Sequence, residues 1–478
     1  MTTWTTTTEL LTHQKPAVEK LRRSRVGGLF MDMGTGKTRA AIDLAWLRRE
    51  RIDHVVWLCP VSLKETICYE IIKHTDCGRA AIHVFTDRTT MRNLPAALWH
   101  IVGIESLSSS DRVTLAVNAL VTERSFVVVD ESSYIKGHDS LRTQCITLIG
   151  ERARYRLILT GTPLSQGVED LFAQMRFLSP KILGYKSFYS FAANHLVYSE
   201  DHPGLIIRSL RTDLLAKKIA PYTYQVTKDE CLTLPPKLYD TRYCSLTPDQ
   251  RRRYQQAKDE ILFALDENEP YDEYVLFRLF GALQQIVCGF WNRRDPATGE
   301  QELLTLQHAR LDVLLSILRD VPPAEKVIIW TKYHHTIQEI VAALREAYGD
   351  QTTAEFHGRL SEKSRHGQLE RWRANTDCRF LVATQAAGGH GLTLNEASYV
   401  VFYSNEFKYS TRLQAEDRCH RIGQTRPVTY VDVVCHSTID DRISRALGRK
   451  ADAANEFRRQ VNRVKDDREL LKNLVREL

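Results

Sequence analysis

Short apolar runs alternate with segments of helical period along most of the chain. This alternation predicts parallel sheets covered by helices, because such strands are buried on both faces while each crossover helix buries one. In the first half the expected strands are "GGLFMD" (27–32), "HVVWLCP" (54–60), "FVVVD" (126–130) and "RLILTG" (156–161). Each ends in a Gly, Pro, Asp or Thr loop, and open α/β sheets bind their ligands at such strand ends. A second series follows: "KVIIWT" (326–331), "RFLVAT" (379–384), "YVVFYS" (399–404) and "VTYVDVV" (428–434). Between the two, "TLPPK" (233–237) is a linker signal. The stretch after it opens a helix, with Thr247 as N-cap, Pro248 at the first position and Gln250 closing a capping box. The fold class expected is α/β: two parallel-sheet lobes with helical insertions between them.

Composition narrows the picture without changing it. A chain of 478 residues is too long for one core and predicts two or three domains. A net charge of +7 tolerates a polyanionic partner without demanding one. Ten cysteines with no C-x-x-C pair fit neither a zinc site nor a disulfide framework, and reduced thiols are expected. The start, "MTTWTTTTELL", lacks the regions of a signal peptide and reads as a frayed end. No apolar run approaches the roughly 18 residues that cross a bilayer, so a soluble, cytoplasmic protein without a membrane partner is expected, or a nuclear one in a eukaryote.

Two stretches carry phosphate chemistry. "LFMDMGTGKT" (29–38) follows a strand and precedes a helix, although Met31 replaces the first glycine of the strict G-x-x-x-x-G-K-[ST] pattern. What survives is Gly34, Thr35, Gly36, Lys37 and Thr38. The glycines let backbone N–H groups turn toward phosphate oxygens at a helix N-terminus. Lys37 supplies a charge for the β- and γ-phosphates, and the Thr38 hydroxyl is a Mg²⁺ ligand candidate. "FVVVDESS" (126–133) ends a strand in two carboxylates. Asp130 is placed to hold Mg²⁺ through water and Glu131 to orient and deprotonate an attacking water; alone, such a pair also reads as a solvated turn. Gln14 precedes the loop and is either a reader of the adenine edge or a polar residue on an amphipathic helix.

In this order the stretches resemble the superfamily 2 helicases, specifically the Snf2-family DNA-translocating ATPases, over roughly residues 10 to 445. "MDMGTGKT" resembles motif I, "VVWLCPVSLKETICYEI" motif Ia, "IVGIESL" motif Ib, "VVVDESS" motif II and "LILTGTPLSQGVEDLFAQMRFLSP" motif III. "LPPKLYDTRYCSLTPDQRRRY" and "LQQIVCG" resemble the interlobe insertion. "KVIIWTKY", "EFHG", "LVATQAAGGHGLTL" and "QAEDRCHRIGQ" resemble motif IV, its following strand, and motifs V and VI. Gln424, closing "HRIGQ", is the Snf2 form of the last motif.

The resemblance implies two RecA-like lobes: 1–230 with a helical protrusion from about 165, a linker and helical insertion at 231–310, a second lobe at 311–448 and a charged C-terminal helix at 449–478. It implies ATP and Mg²⁺ as cofactors and double-stranded or branched DNA as partner, with a monomer expected. Arg418 and Arg421, three apart and so on one face of a helix, would stabilise charge on the departing γ-phosphoryl group, with Gln414 and Asp417 positioning them. Gly391 would line the nucleotide, and Thr160, Gly161 and Thr162 would couple hydrolysis to motion. Ser62, Lys64, Ser106, Thr384 and Gln385 would contact DNA phosphates without reading sequence. Departures are "YTYQVTKDE", which keeps only Lys228 of a basic signature, Phe407 where tryptophan is usual, and Thr393 in "GLTL" for asparagine. The leading expectation is an ATP-dependent duplex-DNA translocase. Rivals are a strand-separating or branch-migrating helicase, and a catalytically silent ATP-gated DNA-binding subunit.

Overall fold

The computed structural model describes residues 4–161, 163–164, 167–199, 206–266, 273–294, 300–388, 392–450, 453, 456, 460 and 468–478. The chain divides into two compact units, residues 1–233 and 234–478. Among the described residues no helix is long and apolar enough to cross a membrane.

Among the described residues the first unit holds β1 (Val26–Met31), β2 (His54–Cys59), β3 (Ile82–Val84), β4 (Trp99–Gly103), β5 (Ser125–Asp130), β6 (Tyr155–Thr160), β7 (Leu196–Tyr198), β8 (Ile206–Ser209) and β9 (Thr223–Val226). Seven form a parallel sheet in the order β3-β4-β2-β5-β6-β1-β9. Alternate residues feed opposite faces. Leu29, Trp57, Val128 and Leu157 enter one core, while Phe30, Val56, Val127 and Ile158 enter the other. Burial on both sides is what makes these strands read as unbroken apolar runs.

Two expectations, on the N-terminus and on the protrusion, need correction here. The N-terminus is not frayed from Trp4 onward: Trp4 is buried edge-on to Trp99 at 5.3 Å, and Thr5 N donates to Asp76 Oδ1 at 2.7 Å. The stretch "YTYQVTKDE" contributes the edge strand β9 beside β1. The protrusion after residue 165 is helical (Asp170–Leu178, Pro180–Leu183, Phe188–His195, Thr212–Ile219) but also carries the antiparallel hairpin β7-β8.

The second unit holds β10 (Lys237–Cys244), β11 (Phe290–Arg294), β12 (Gln301–Thr305), β13 (Lys326–Thr331), β14 (Thr353–Phe356), β15 (Phe380–Thr384), β16 (Ala397–Phe402) and β17 (Val428–Cys435). Its parallel sheet runs β10-β17-β16-β13-β15-β14. Residues 231–310 are therefore more than linker and helices, because β10 pairs with β17 over its full length and β11-β12 is a hairpin. The helix Pro248–Asp266 starts with the expected capping box: Thr247 N donates to Gln250 Oε1 at 3.1 Å and Gln250 N to Thr247 Oγ1 at 3.3 Å. The C-terminal helix Arg468–Arg476 buries Leu471 and Val475 in the second unit's core. Tyr254 OH holds its end by donating to Leu478 O at 2.7 Å.

Candidate functional site

In the first sheet β1, β6 and β5 are neighbours, so their C-terminal ends bring three loops together. The loop after β1 turns into the helix Lys37–Trp46 through Gly34 and Gly36, at φ +79° and +83°. A side chain at Gly36 would be strained and would also strike Gln14 Nε2, 2.2 Å from the position of a Cβ. Gln14 is buried, donating to Thr35 O at 3.1 Å and Gly36 O at 3.2 Å while accepting from Leu11 N at 2.9 Å. Its amide thereby braces the loop that follows β1. His13 Nε2 meets Thr35 O at 2.7 Å, a support that no sequence motif announced. Lys37 Nζ donates to Met31 O at 2.7 Å and Asp32 O at 3.2 Å; Thr38 is half-buried in the first helical turn.

Asp130 and Glu131 are buried at the end of β5. Trp57 on the adjacent β2 donates Nε1–H to Asp130 Oδ2 at 3.3 Å. Burial, and next the charge of Glu131, push the Asp130 carboxyl up to about 6 against the pull of Lys37. Glu131 sits at φ +56°, a conformation uncommon for a side chain larger than glycine and found at sites whose surroundings impose it. Its Oε1 accepts from Ser133 Oγ at 2.9 Å and Thr160 Oγ1 at 3.3 Å. Thr160 thus ties the end of β6 to the Glu131 carboxylate. Gly161 packs its backbone against the phosphate loop, where a Cβ would stand 3.2 Å from Met33 N. Ser132 Oγ donates to Gln174 Oε1 at 2.6 Å, fastening the carboxylate loop to the helix that follows motif III. Asp32 joins β9 to the loop: its N–H donates to Val226 O at 3.2 Å and its Oδ2 accepts from Lys228 N at 2.9 Å. Thr162 and Gly391 lie outside the described residues.

In the second unit the helix Tyr409–Glu416, which carries Gln414, ends before Arg418 and Arg421. They do not share the expected helical face but occupy the turn that follows. They nonetheless converge, with Arg418 NH1 and Arg421 NH1 both donating to Leu392 O, at 3.3 and 3.2 Å. Arg418 Nε also donates to Gln414 O at 3.1 Å. Beneath this turn lies a closed ion network. Arg412 donates to Glu416 Oε1 at 2.8 Å and Asp432 Oδ2 at 2.9 Å. Lys237 and Tyr239 of β10 both reach Glu416 Oε2 at 2.9 Å, and Lys237 lies 3.5 Å from Asp417. Burial pushes the Glu416 carboxyl up, but Arg412 and Lys237 outweigh it and hold it below its ordinary value. Gln424 donates to Asn395 O, Ala397 O and Cys419 O at 3.1–3.3 Å, so its amide locks the end of this turn to the loop before β16.

The nucleic-acid candidates separate by exposure. Ser62 is exposed, and Lys64 and Ser106 are half-buried. Val61 N donates to Glu105 Oε2 at 2.9 Å, which joins the loops carrying Ser62 and Ser106. Lys64 Nζ donates to Phe85 O at 2.8 Å. Gln385 is instead fully buried, donating to Ser404 O at 3.3 Å and accepting from Glu406 N at 3.0 Å. It braces the end of β15 and offers no surface contact, a correction to its assignment. Thr384 is also buried, and its hydroxyl accepts from Ala387 N at 3.3 Å.

Comparison with known proteins places the class. The SNF2-related domain matches residues 13–289, and the helicase conserved C-terminal domain matches residues 309–423. The chain belongs to the SNF2-related family. An uncharacterized ATP-dependent helicase of Mycoplasma pneumoniae is 25% identical over 468 residues, covering 94% of this chain and 42% of that protein. The human DNA annealing helicase and endonuclease ZRANB3 is 26% identical over 428 residues, covering 88% of this chain and 37% of that one. The chain thus spans about two-fifths of the length of these relatives. Among solved structures, the Sulfolobus solfataricus SWI2/SNF2 ATPase core in complex with dsDNA aligns with a TM-score of 0.43 and 22% identity, over 93% of this chain and 92% of that one.

Proposed function

We propose that the chain is an ATP-dependent double-stranded-DNA translocase. The observation that carries this reading is the junction of β1, β6 and β5, where Lys37, Glu131 and Thr160 meet at one end of one sheet. The Lys37 ammonium exchanges its carbonyl partners for β- and γ-phosphate oxygens, with the loop N–H groups around them. Thr38 and Asp130 are hard oxygen donors suited to Mg²⁺, and a buried carboxylate held near 6 gains from a cation beside it. Bound there, the ion would neutralise charge on the phosphate oxygens. Glu131, oriented by Ser133 and Thr160, aligns water for in-line attack and accepts its proton. Arg418 and Arg421 act on the charge of the departing phosphoryl group. Ser62, Lys64 and Ser106 engage DNA phosphates, and Thr160 carries the state of Glu131 into β6.

A second reading, branch migration or strand separation, is favoured by the likeness to an annealing helicase. Translocation without unwinding avoids the roughly 1.4 kcal/mol per base-pair step that unpairing costs. The decisive measurement is ATPase rate without nucleic acid and with single-stranded, duplex and forked DNA and RNA, beside displacement of a triplex-forming third strand. Stimulation by duplex and ATP-dependent triplex displacement are expected. Efficient unwinding of a tailed duplex without triplex displacement would promote the helicase reading. No stimulation by any nucleic acid would leave the silent subunit.

A further inference from the structure

The protrusion of the first unit is charged out of proportion to its size. Residues 176–222 contain seven Lys and Arg but three Asp and Glu, a surplus of four out of the chain's net +7. The cations are Arg176, Lys181, Lys186, Arg208, Arg211, Lys217 and Lys218. Among the described residues none of the seven is ion-paired, whereas Arg39, Arg124, Arg412 and Arg426 each hold a carboxylate. Five of them (Lys181, Lys186, Arg208, Arg211 and Lys217) are exposed.

Packing brings three of them to one turn. Arg176 NH1 donates to Lys186 O at 3.1 Å, and Lys218 Nζ donates to Leu183 O while lying 4.8 Å from the Tyr185 ring centre. These contacts gather Arg176, Lys186 and Lys218 around the turn at 183–186. Arg211 NH1 donates to Asn194 Oδ1 at 3.3 Å, drawing the end of the hairpin onto the helix Phe188–His195. Tyr189 on that helix is 81% exposed. Exposed cations without ion partners attract a polyanion, which gains by releasing its own counterions as they bind it.

We infer that this protrusion is a second, sequence-blind phosphate-binding surface, separate from the contacts of the motor motifs, that takes the backbone of a further duplex arm on branched DNA. The inference rests on the DNA-translocase reading above. None of the proposed nucleotide or DNA-tracking residues lies in 176–222, so the surface is open to removal without touching turnover.

The test is binding of the full chain, without nucleotide, to a short linear duplex and to a three-way junction, by fluorescence anisotropy over a range of salt. Wild type is compared with a variant combining Lys181→Ala, Lys186→Ala and Lys217→Ala, its fold checked by circular dichroism. Junction affinity should fall by roughly 10–100-fold near physiological salt, and the slope of log K against log salt should flatten by up to about 2.7, or 0.9 per lost phosphate contact. Linear-duplex affinity and duplex-saturated ATPase rate should be unchanged. Equal losses on both DNAs would make the protrusion part of the motor's own track and overturn the inference. An unchanged junction slope would also overturn it, leaving a solvated face or one for an acidic protein. Wild type binding neither DNA would instead bring down the translocase reading with it.

Discussion

Two buried carboxylates in this chain experience opposite electrostatics. Asp130 in the first unit is pushed up to about 6, because burial and Glu131 outweigh Lys37. Glu416 in the second unit is held below its ordinary value, because Arg412 and Lys237 overcome its burial. The first site carries negative charge that the surrounding protein under-compensates. The second sets Arg412 and Lys237 directly against Glu416, with Asp432 and Asp417 beside them. Buried charge without a full countercharge is costly, and it persists where a ligand is to supply what is missing. A carboxylate matched by two cations has no such need and serves as scaffold, here for the turn of Arg418 and Arg421. The contrast predicts that substitutions in the first site cost turnover more than stability, and that those in the network cost stability.

The largest effects should be on rate. Glu131→Gln keeps the shape and removes the base, so steady-state turnover should drop at least about 10³-fold while ATP binding, followed with a fluorescent analogue, persists. Lys37→Ala should lose both. Arg418→Ala and Arg421→Ala should each cost roughly 10³-fold in turnover with little change in nucleotide affinity. Loss of DNA affinity with DNA-saturated turnover intact would make those arginines phosphate contacts instead. Next comes stability. Glu416→Gln leaves Arg412 and Lys237 buried without their shared countercharge and should destabilise the second unit by roughly 3 kcal/mol, read as a shift in denaturant midpoint. A variant as stable as wild type would show that the network is not the scaffold argued here.

What the sequence revealed follows the same physical lines. Strands buried on both faces, such as β1, β2, β5 and β13, stand out as apolar runs, and the loops after β1 and β5 carry the glycine, lysine and carboxylate stretches from which phosphate chemistry is proposed. Edge strands do not: β9 and β10 are short or largely exposed, so their sequences lack that signal. The end of the helix at Glu416 was equally hidden. No Gly or Pro interrupts 417–421, and Gly423, at φ +97°, comes too late to mark it. The backbone bonds of Gln14 and Gln385 are invisible in sequence, because a glutamine beside a motif looks the same whether its amide faces a ligand or a backbone carbonyl. Partners distant in sequence, such as Trp57 for Asp130 and Lys237 for Glu416, leave no local trace at all.

The smallest predicted effects concern pH, and they set two groups of the first unit against each other. Asp130 has a folded value above its unfolded one of 3.8, so its cost is fully present above about 6 and is relieved as pH falls through 6 toward 4. Without metal, Asp130→Asn should therefore stabilise the first unit at pH 7 by roughly 2 kcal/mol, and the gain should fade on acidification. His100, between β3 and β2, behaves in the opposite sense. Burial first, then the neighbouring His54 and His83, lower it from 6.5 to about 4. His54 is lowered mainly by burial against the pull of Asp53, and His83 by burial and Arg79. For these imidazoles the unfolded chain binds more protons than the folded one, so stability is complete above 6.5 and is lost as pH falls toward 4. His100→Gln should flatten that loss by roughly 1–2 kcal/mol at pH 5. Hydrogen exchange of the β2 and β4 amides between pH 7 and 5, each rate corrected for intrinsic pH dependence, separates the two. Protection should fall with acid in wild type and in Asp130→Asn, and should hold more nearly constant in His100→Gln. Parallel loss in all three would remove the histidines as its cause.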